Sequence, residues 1–231
     1  MKQSIIILHG WGLNGSKYNQ LLKILKNKGF AVYSPDLPGF GSEPLKSKSM
    51  KLDDYMEFID NYIKKNKIEN PILIGHSFGG RIALKYGWEY PKKVSRIILT
   101  GTPVIRNKTL FKKFAYLIAI LGGKVFKNLF FKETLRKSLY FLLGEWDYYK
   151  AGSLNQVFKN IIGEDLIKYF KEIKVPVFLI WGEKDMITPI NDVNKMTKIR
   201  NDVKSIIVPG IGHKLPYERP DIFVKSIESF I

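Results

Sequence analysis

The serine at position 77 has the surroundings of a catalytic nucleophile. It lies in the segment GHSFGG at residues 75–80, between an apolar, strand-like run (residues 71–74) and a helix-like run (residues 81–86). A serine at a sharp strand-to-helix turn is lifted clear of the sheet, where a base can reach its hydroxyl. Glycines two residues to either side suit a turn that has no room for side chains. The alternative is a glycine-rich connection in which the serine is incidental.

A serine hydroxyl needs a base to take its proton and an acid to orient that base. Of the three histidines, His213 follows the last predicted strand in the glycine-rich loop 209–213. Loops at the carboxyl ends of parallel strands are where sites form in such sheets. We therefore predict His213 as the base, with a surface loop histidine as the alternative. We expect His76, next to the serine, to point away from the hydroxyl, and His9 to hold a loop.

The carboxylate should follow a strand at the same edge. Residues 181–189 come after the penultimate predicted strand and offer Asp185 and Glu183, of which we predict Asp185 as the partner of the histidine. The loop after the preceding strand, residues 100–103, contains no carboxylate.

The negative charge that develops on a substrate carbonyl oxygen needs two fixed donors, usually backbone N–H groups. One should come from Phe78, the residue after the nucleophile. The other should come from the loop HGWG at residues 9–12, and we predict the N–H of Trp11. Loss of one such donor typically costs about 3–4 kcal/mol of barrier.

Alternating strands and helices are predicted to position these groups. The repeated strand–helix units predict a parallel sheet of about six strands with helices on both faces, in which the strand at residues 30–33 is an exposed edge. Residues 104–170 are aromatic-rich and helical in pattern, without a good strand. The predicted organisation is an α/β core, residues 1–103 and 171–231, with residues 104–170 inserted as a helical cap. The predicted strands are residues 5–8, 30–33, 72–74, 96–99, 176–181 and 204–208, and the predicted helices are residues 16–28, 52–65, 77–90, 190–199 and 220–231.

Composition limits the function classes. The 231 residues suffice for one α/β domain, and the absence of cysteine excludes disulfides, thiolate catalysis and cysteine-based zinc sites. No signal peptide or membrane-length apolar stretch is present, so we expect a cytoplasmic protein without an integral membrane segment. The formal net charge is +17, which we interpret as lysines scattered over solvated faces, with a nucleic-acid, membrane or acidic protein partner as the alternatives. No basic block with interleaved aromatics and no nucleic-acid motif occurs, so we expect no nucleic-acid partner.

The ordered motifs resemble the α/β-hydrolase superfamily, in its branch of cofactor-free esterases and carbon–carbon hydrolases. The order of Ser77, Asp185 and His213 is the order of that fold. The resemblance implies a serine hydrolase of a small to medium carboxylic ester, with no cofactor or metal, and a cap that selects the substrate. Family members usually carry an antiparallel strand pair before the first motif, which this sequence lacks. The matching segments are residues 9–12, 36–42, 75–80, 181–185 and 212–213.

Residues 9–14 together with 36–41 resemble the pimeloyl-carrier-protein methyl ester esterases, which receive an acidic carrier protein on a basic cap. Residues 104–174 hold 14 Lys+Arg against 6 Asp+Glu, about twice the net positive charge per residue of the rest of the chain. This excess fits an acidic carrier protein as partner, although a lysine-rich background produces it too.

Further alternatives concern the residues that would touch the substrate. Arg81 lies one helical turn after the serine, where a menaquinone-pathway lyase of the same fold has an arginine that helps bind its carboxylate-rich substrate. A lyase or a carbon–carbon hydrolase on the same triad is therefore an alternative function. Arg106 and Arg136 could join it from the cap, or Arg81 could simply hold a neighbouring loop. Aromatic residues suggest an apolar acyl pocket, although many of them must form the core of the cap. A non-catalytic binding protein is the remaining class. The cap aromatics are Phe111, Phe114, Phe126, Phe130, Tyr140 and Trp146.

Overall fold

The computed structural model describes residues 3–105 and 154–231, and its strands form one parallel sheet. In chain order the strands are β1 (Ser4–Leu8), β2 (Ala31–Tyr33), β3 (Ile72–His76), β4 (Arg96–Thr100), β5 (Val177–Gly182) and β6 (Lys204–Val208). Within the described residues these six strands lie in the order β2-β1-β3-β4-β5-β6, and every neighbouring pair is parallel. The predicted fold class is confirmed, including β2 as an edge strand.

Helices connect the strands. They are α1 (Asn19–Asn27), α2 (Leu52–Lys65), α3 (Phe78–Glu89), α4 (Asn155–Gly163), α5 (Ile167–Glu172), α6 (Ile190–Ile199), α7 (Leu215–Glu218) and α8 (Pro220–Ile227). Two details differ from prediction. The helix expected from residue 16 begins as a 3₁₀ turn, Gly15–Tyr18, where Asn14 accepts the N–H of Lys17. A separate short helix, α7, precedes α8, because the residue before Pro220 is kept out of the helical conformation.

Side chains of the strands alternate between two cores. Ile5 and Ile7 of β1 face a core shared with α1 and α8, whereas Ile6 and Leu8 face the core that α2, α3 and α6 cover. This is the two-residue period of a strand buried on both faces. The near-continuous apolar runs of β1, β3 and β5 follow from it.

Residues 154–172, which follow the undescribed stretch, pack on the core that α2, α3 and α6 cover. Val157 and Ile161 of α4 and Phe170 of α5 are buried there together with residues of the sheet. Residues 154–170 are thus the described end of the predicted cap, and its greater part lies outside the described residues. Since all strands are parallel, the residues after β3, β5 and β6 meet at one edge of the sheet.

Candidate active site

Ser77 occupies the sharp turn between β3 and α3. Its backbone has φ 51° and ψ −109°, a conformation that is costly for a residue with a side chain. The N–H of Ser77 donates to the carbonyl of Thr100 at 2.9 Å, which ties the turn to the end of β4. Ser77 is half-buried, whereas all its neighbours from residue 71 to residue 87 are buried. The strained turn therefore exposes this one side chain at the edge of the sheet.

Glycines make the turn possible. A Cβ added at Gly79 would lie 2.1 Å from the carbonyl oxygen of Leu8, and one at Gly75 would lie 2.4 Å from the Cα of Gly80. Both contacts are with backbone, which cannot swing away as a flexible side chain can. The predicted need for glycine at both positions thus has a steric cause.

Asp185 and His213 form a hydrogen-bonded pair. His213 Nδ1 lies 2.8 Å from Asp185 Oδ2, and the carboxylate also accepts the N–H groups of Ile187 and Thr188 and the Thr188 hydroxyl. Burial alone would raise the pKa of Asp185, but the hydrogen bonds from His213 and Thr188 outweigh it and lower the pKa. An ionised Asp185 accepts from Nδ1–H, so Nε2 of the neutral ring is left as an acceptor.

Thr188 is a residue that the sequence analysis does not single out. Its N–H and its hydroxyl both donate to Asp185, at 2.8 Å each. A threonine three residues after an aspartate in a loop is a common turn arrangement, and this spacing could have indicated the contact.

His213 lies beside the Ser77 turn. Its ring centroid is 4.9 Å from that of His76, the residue before Ser77. A Cβ added at Gly101, directly after the Thr100 carbonyl that holds the serine, would lie 2.6 Å from His213 Cε1. No hydrogen bond joins the Ser77 hydroxyl to His213 among the described residues, and such catalytic contacts often tighten only when substrate is bound.

The two predicted backbone donors lie on neighbouring segments. Phe78 is the first residue of α3, where a backbone N–H has no partner within the helix. The carbonyl of His9 accepts the N–H of Gly79 at 3.1 Å, which holds the loop after β1 against the start of α3. The rings of Trp11 and Phe78 meet edge to face, 5.2 Å apart. The structure thus brings together the two residues expected to form an oxyanion hole.

His9 supports this loop from within. Its Nε2 accepts the N–H of Leu37 at 2.9 Å, and Nδ1 donates to the carbonyl of Gly10 at 2.8 Å. Burial lowers the pKa of His9 to about 4, so the ring is neutral at physiological pH. These contacts fit the loop-holding role expected of His9.

Arg81 contacts backbone carbonyls. Its guanidinium donates to Pro103 at 2.9 Å and to Ile161 and Glu164 at 2.7 Å each, and the residue is 5% exposed. It therefore joins α3 to both ends of the stretch that contains the undescribed residues. These contacts favour the loop-holding alternative for Arg81 over a substrate-binding one. The other substrate-binding candidates, Phe111, Phe114 and Trp146, and the cap residues Arg106 and Arg136 lie outside the described residues.

Across residues 3–105 and 154–231, no group of three or more His, Asp or Glu side chains is arranged to hold a metal ion. In the same part of the chain, no helix has both the length and the apolar character needed to cross a bilayer.

Comparison with known proteins gives a consistent result. The model of the family described as the alpha/beta hydrolase fold matches residues 3–220. A pimeloyl-[acyl-carrier protein] methyl ester esterase of Wigglesworthia glossinidia brevipalpis is 30% identical over 258 residues, covering 99% of this chain and 93% of that protein. A putative esterase/lipase 2 of Mycoplasma genitalium is 25% identical, covering 100% of this chain and 89% of that protein.

Solved structures share the fold. A bromoperoxidase from Bacillus anthracis has a TM-score of 0.77 at 19% identity, covering 100% of this chain and 92% of that one. An esterase from Exiguobacterium antarcticum has a TM-score of 0.75 at 22% identity, covering 99% of this chain and 91% of that one.

Proposed function

This chain belongs to the α/β-hydrolase family, and from that membership we propose that it is a serine hydrolase of small to medium carboxylic esters. The observation that carries the proposal is the hydrogen-bonded Asp185–His213 pair beside the strained, half-buried Ser77. A fixed carboxylate, an oriented imidazole and a raised hydroxyl are the parts that acyl transfer requires.

The proposed reaction has two halves. Ser77 Oγ attacks the ester carbonyl while His213 Nε2 takes its proton, and the N–H groups of Phe78 and Trp11 stabilise the oxyanion. His213 then returns the proton to the departing alcohol, which leaves an acyl group on the serine. Water, activated by the same imidazole, attacks the acyl-enzyme, and the acid is released. Asp185 holds the imidazole and stabilises its charge throughout.

Replacement of the nucleophile tests this assignment. We expect Ser77→Ala to lower kcat on short and medium p-nitrophenyl esters by about 10⁴-fold or more, because the acyl-enzyme cannot form. A fluorophosphonate probe should label the wild type on Ser77 and leave the variant unlabelled. Equal turnover by both proteins would exclude the assignment.

The two carboxylates near the end of β5 provide a matched control for that experiment. Glu183 is exposed, and its Oε2 accepts the N–H of Gly210 at 2.8 Å, whereas Asp185 is buried against His213. Asp185→Asn should cost about 10³–10⁴-fold in kcat, because the imidazole then adopts the wrong tautomer. Glu183→Gln should leave kcat close to that of the wild type.

A more specific candidate is hydrolysis of a methyl ester carried on an acyl carrier protein. It is favoured by the relative from Wigglesworthia, which is 30% identical along nearly the full chain. The excess of positive charge in residues 104–174 suits an acidic carrier. In this proposal residues 104–170 form the cap that receives the acyl chain. The test compares carrier-bound and carrier-free forms of one ester at low and high salt.

A further inference from the structure

A buried chain of hydrogen bonds crosses the candidate site behind Ser77. The N–H of Gly10 donates to the hydroxyl oxygen of Tyr18 at 3.3 Å, and that hydroxyl lies 2.7 Å from Nδ1 of His76. On the other side of the ring, Nε2 of His76 lies 3.0 Å from the carbonyl oxygen of His213. The chain begins in the loop that carries Trp11 and ends on the main chain of the candidate base.

The direction of each hydrogen bond follows from its chemistry. A carbonyl oxygen can only accept, so the proton of His76 is on Nε2 and points at His213. Burial, the largest cause, lowers the pKa of His76 to about 3, so the ring is neutral and its Nδ1 is an acceptor. The Tyr18 hydroxyl must then donate to Nδ1, and its oxygen is free to accept from Gly10.

The two hydrogen bonds of the Tyr18 hydroxyl are buried, and the bond from His76 to the His213 carbonyl is partly buried. Tyr18 is fully buried and His76 is 2% exposed. The rings are held edge to face, with centroids 6.1 Å apart, and the ring of Tyr217 lies 5.8 Å from each. A Cβ added at Gly10 would lie 3.0 Å from His76 Nδ1, so the backbone is in close contact with the ring. This packing leaves the rings of Tyr18 and His76 little room to move relative to the Gly10 backbone.

We propose that Tyr18 and His76 are positioning residues that fix the loop of the oxyanion donor Trp11 and the loop of the base His213 relative to each other. The inference rests on the proposed function, since it assigns Trp11 and His213 those roles. Trp11 follows Gly10 directly, so a shift of Gly10 moves the proposed donor. Catalysis is sensitive to such shifts, because a misplacement of about 1 Å can cost about 100-fold in rate.

Removal of the Tyr18 hydroxyl is the first test. Tyr18→Phe keeps the aromatic ring but removes the hydroxyl that links Gly10 to His76 in the chain of hydrogen bonds. We expect kcat on p-nitrophenyl esters to fall about 10–100-fold, with KM changed by less than about twofold, because positioning and not binding is lost. The matched control is Tyr86→Phe, which also removes a buried tyrosine hydroxyl, one that donates to Asp60 at 2.8 Å. The control should keep the wild-type kcat.

Two replacements of His76 separate the two sides of the chain. A glutamine amide can reach the place of Nε2 and donate to the His213 carbonyl, whereas an asparagine amide reaches only the place of Nδ1. We expect each replacement to lower kcat about 10–100-fold, because each keeps one link of the chain of hydrogen bonds and breaks the other. If Tyr18→Phe does not fold, this pair decides the question. A packing role alone would make the two losses follow the loss of stability instead.

A spectroscopic readout makes the test independent of substrate. The Nδ1 proton that His213 shares with Asp185 gives a downfield proton resonance, which should move in Tyr18→Phe and His76→Asn and stay in place in Tyr86→Phe. A wild type without esterase activity would contradict the proposed function, yet this resonance would still test the positioning. Wild-type kcat and an unmoved resonance in Tyr18→Phe and His76→Asn would overturn the inference.

Discussion

At the scale of single residues, the three histidines of this chain are in contrasting environments. His9 and His76 are buried and hydrogen-bonded as neutral rings, and His213 is half-buried at the candidate site. Burial lowers the pKa of His9 to about 4 and that of His76 to about 3. The groups around His76 are Tyr18, Tyr217, His213 and Asp185, and Asp36 faces His9. Of the three histidines, only His213 is half-buried and hydrogen-bonded to a carboxylate, that of Asp185.

Buried neutral histidines should make the fold sensitive to acid. In the unfolded chain these rings bind protons near pH 6.5, whereas in the folded chain they do so only near pH 3–4. Their contribution to the free energy of unfolding is therefore fully present above about pH 6.5 and is lost as the pH drops towards 4. Each ring should contribute about 1.4 kcal/mol per pH unit in that window. Urea denaturation at several pH values should show a shallower slope for His76→Gln than for the wild type. Equal slopes would contradict this account.

The candidate site residues differ in how far the sequence predicts them. Ser77, Asp185 and His213 each stand in a local pattern, a strand end followed by a turn, and the structure brings Asp185 and His213 into contact as predicted. The partnership of Tyr18 with His76 spans 58 positions and leaves no local signal. Arg81 likewise contacts Ile161 and Glu164, which are 80 and 83 positions further along the sequence, and no local pattern indicates these contacts. Such contacts depend on tertiary packing, which short-range patterns do not encode.

At the scale of elements, the approach of α3 to β1 shapes the site. The N–H of Gly79, in the first turn of α3, donates to the carbonyl of His9. Gly79 lies so close to the main chain of Leu8 that no side chain fits between them. This approach places the N–H of Phe78 beside the loop of Trp11. The strands themselves follow from apolar runs, whereas the 3₁₀ start before α1 and the break between α7 and α8 depend on side-chain caps and on proline.

A methyl group in that contact should separate the two elements. We expect Gly79→Ala to lower the free energy of unfolding by about 2–3 kcal/mol, because its Cβ would meet the backbone of Leu8 at 2.1 Å. Activity should fall as well, since the helix start carries a proposed oxyanion donor. Gly163 at the end of α4 has nothing within 4 Å of an added Cβ, so Gly163→Ala should leave stability unchanged or raise it by up to about 1 kcal/mol. Chemical denaturation measures both; equal effects would contradict the steric argument.

At the scale of the whole molecule, the dominant feature is charge. The chain carries a formal net charge of +17. The parallel sheet is built from apolar strands and does not depend on this charge. A field of this sign attracts anionic partners and is screened by salt within about 10 Å at 0.1 M. Charge therefore bears on which molecules approach the protein and not on its fold.

Salt should separate a carrier-bound substrate from a small one. If the acyl carrier proposal holds, kcat/KM for the carrier-bound methyl ester should fall about tenfold or more between about 0.05 M and 0.5 M NaCl, because steering is lost. The same ester on a small thiol should change by less than about twofold. Parallel salt dependence of the two substrates would count against an acidic carrier as the partner.

The direct pairing of β4 with β5 has a consequence for how such an enzyme diversifies. The two strands are adjacent in the sheet although about 76 residues separate them along the chain. The segment between the two strands begins and ends near Arg81. The Arg81 guanidinium donates to the carbonyl of Pro103 near its start and to those of Ile161 and Glu164 near its end. Loop length adds little closure cost, about 0.6 kcal/mol per doubling. On the proposed function, exchange of the stretch between β4 and β5 should alter which substrate is accepted and leave Ser77, Asp185 and His213 in place.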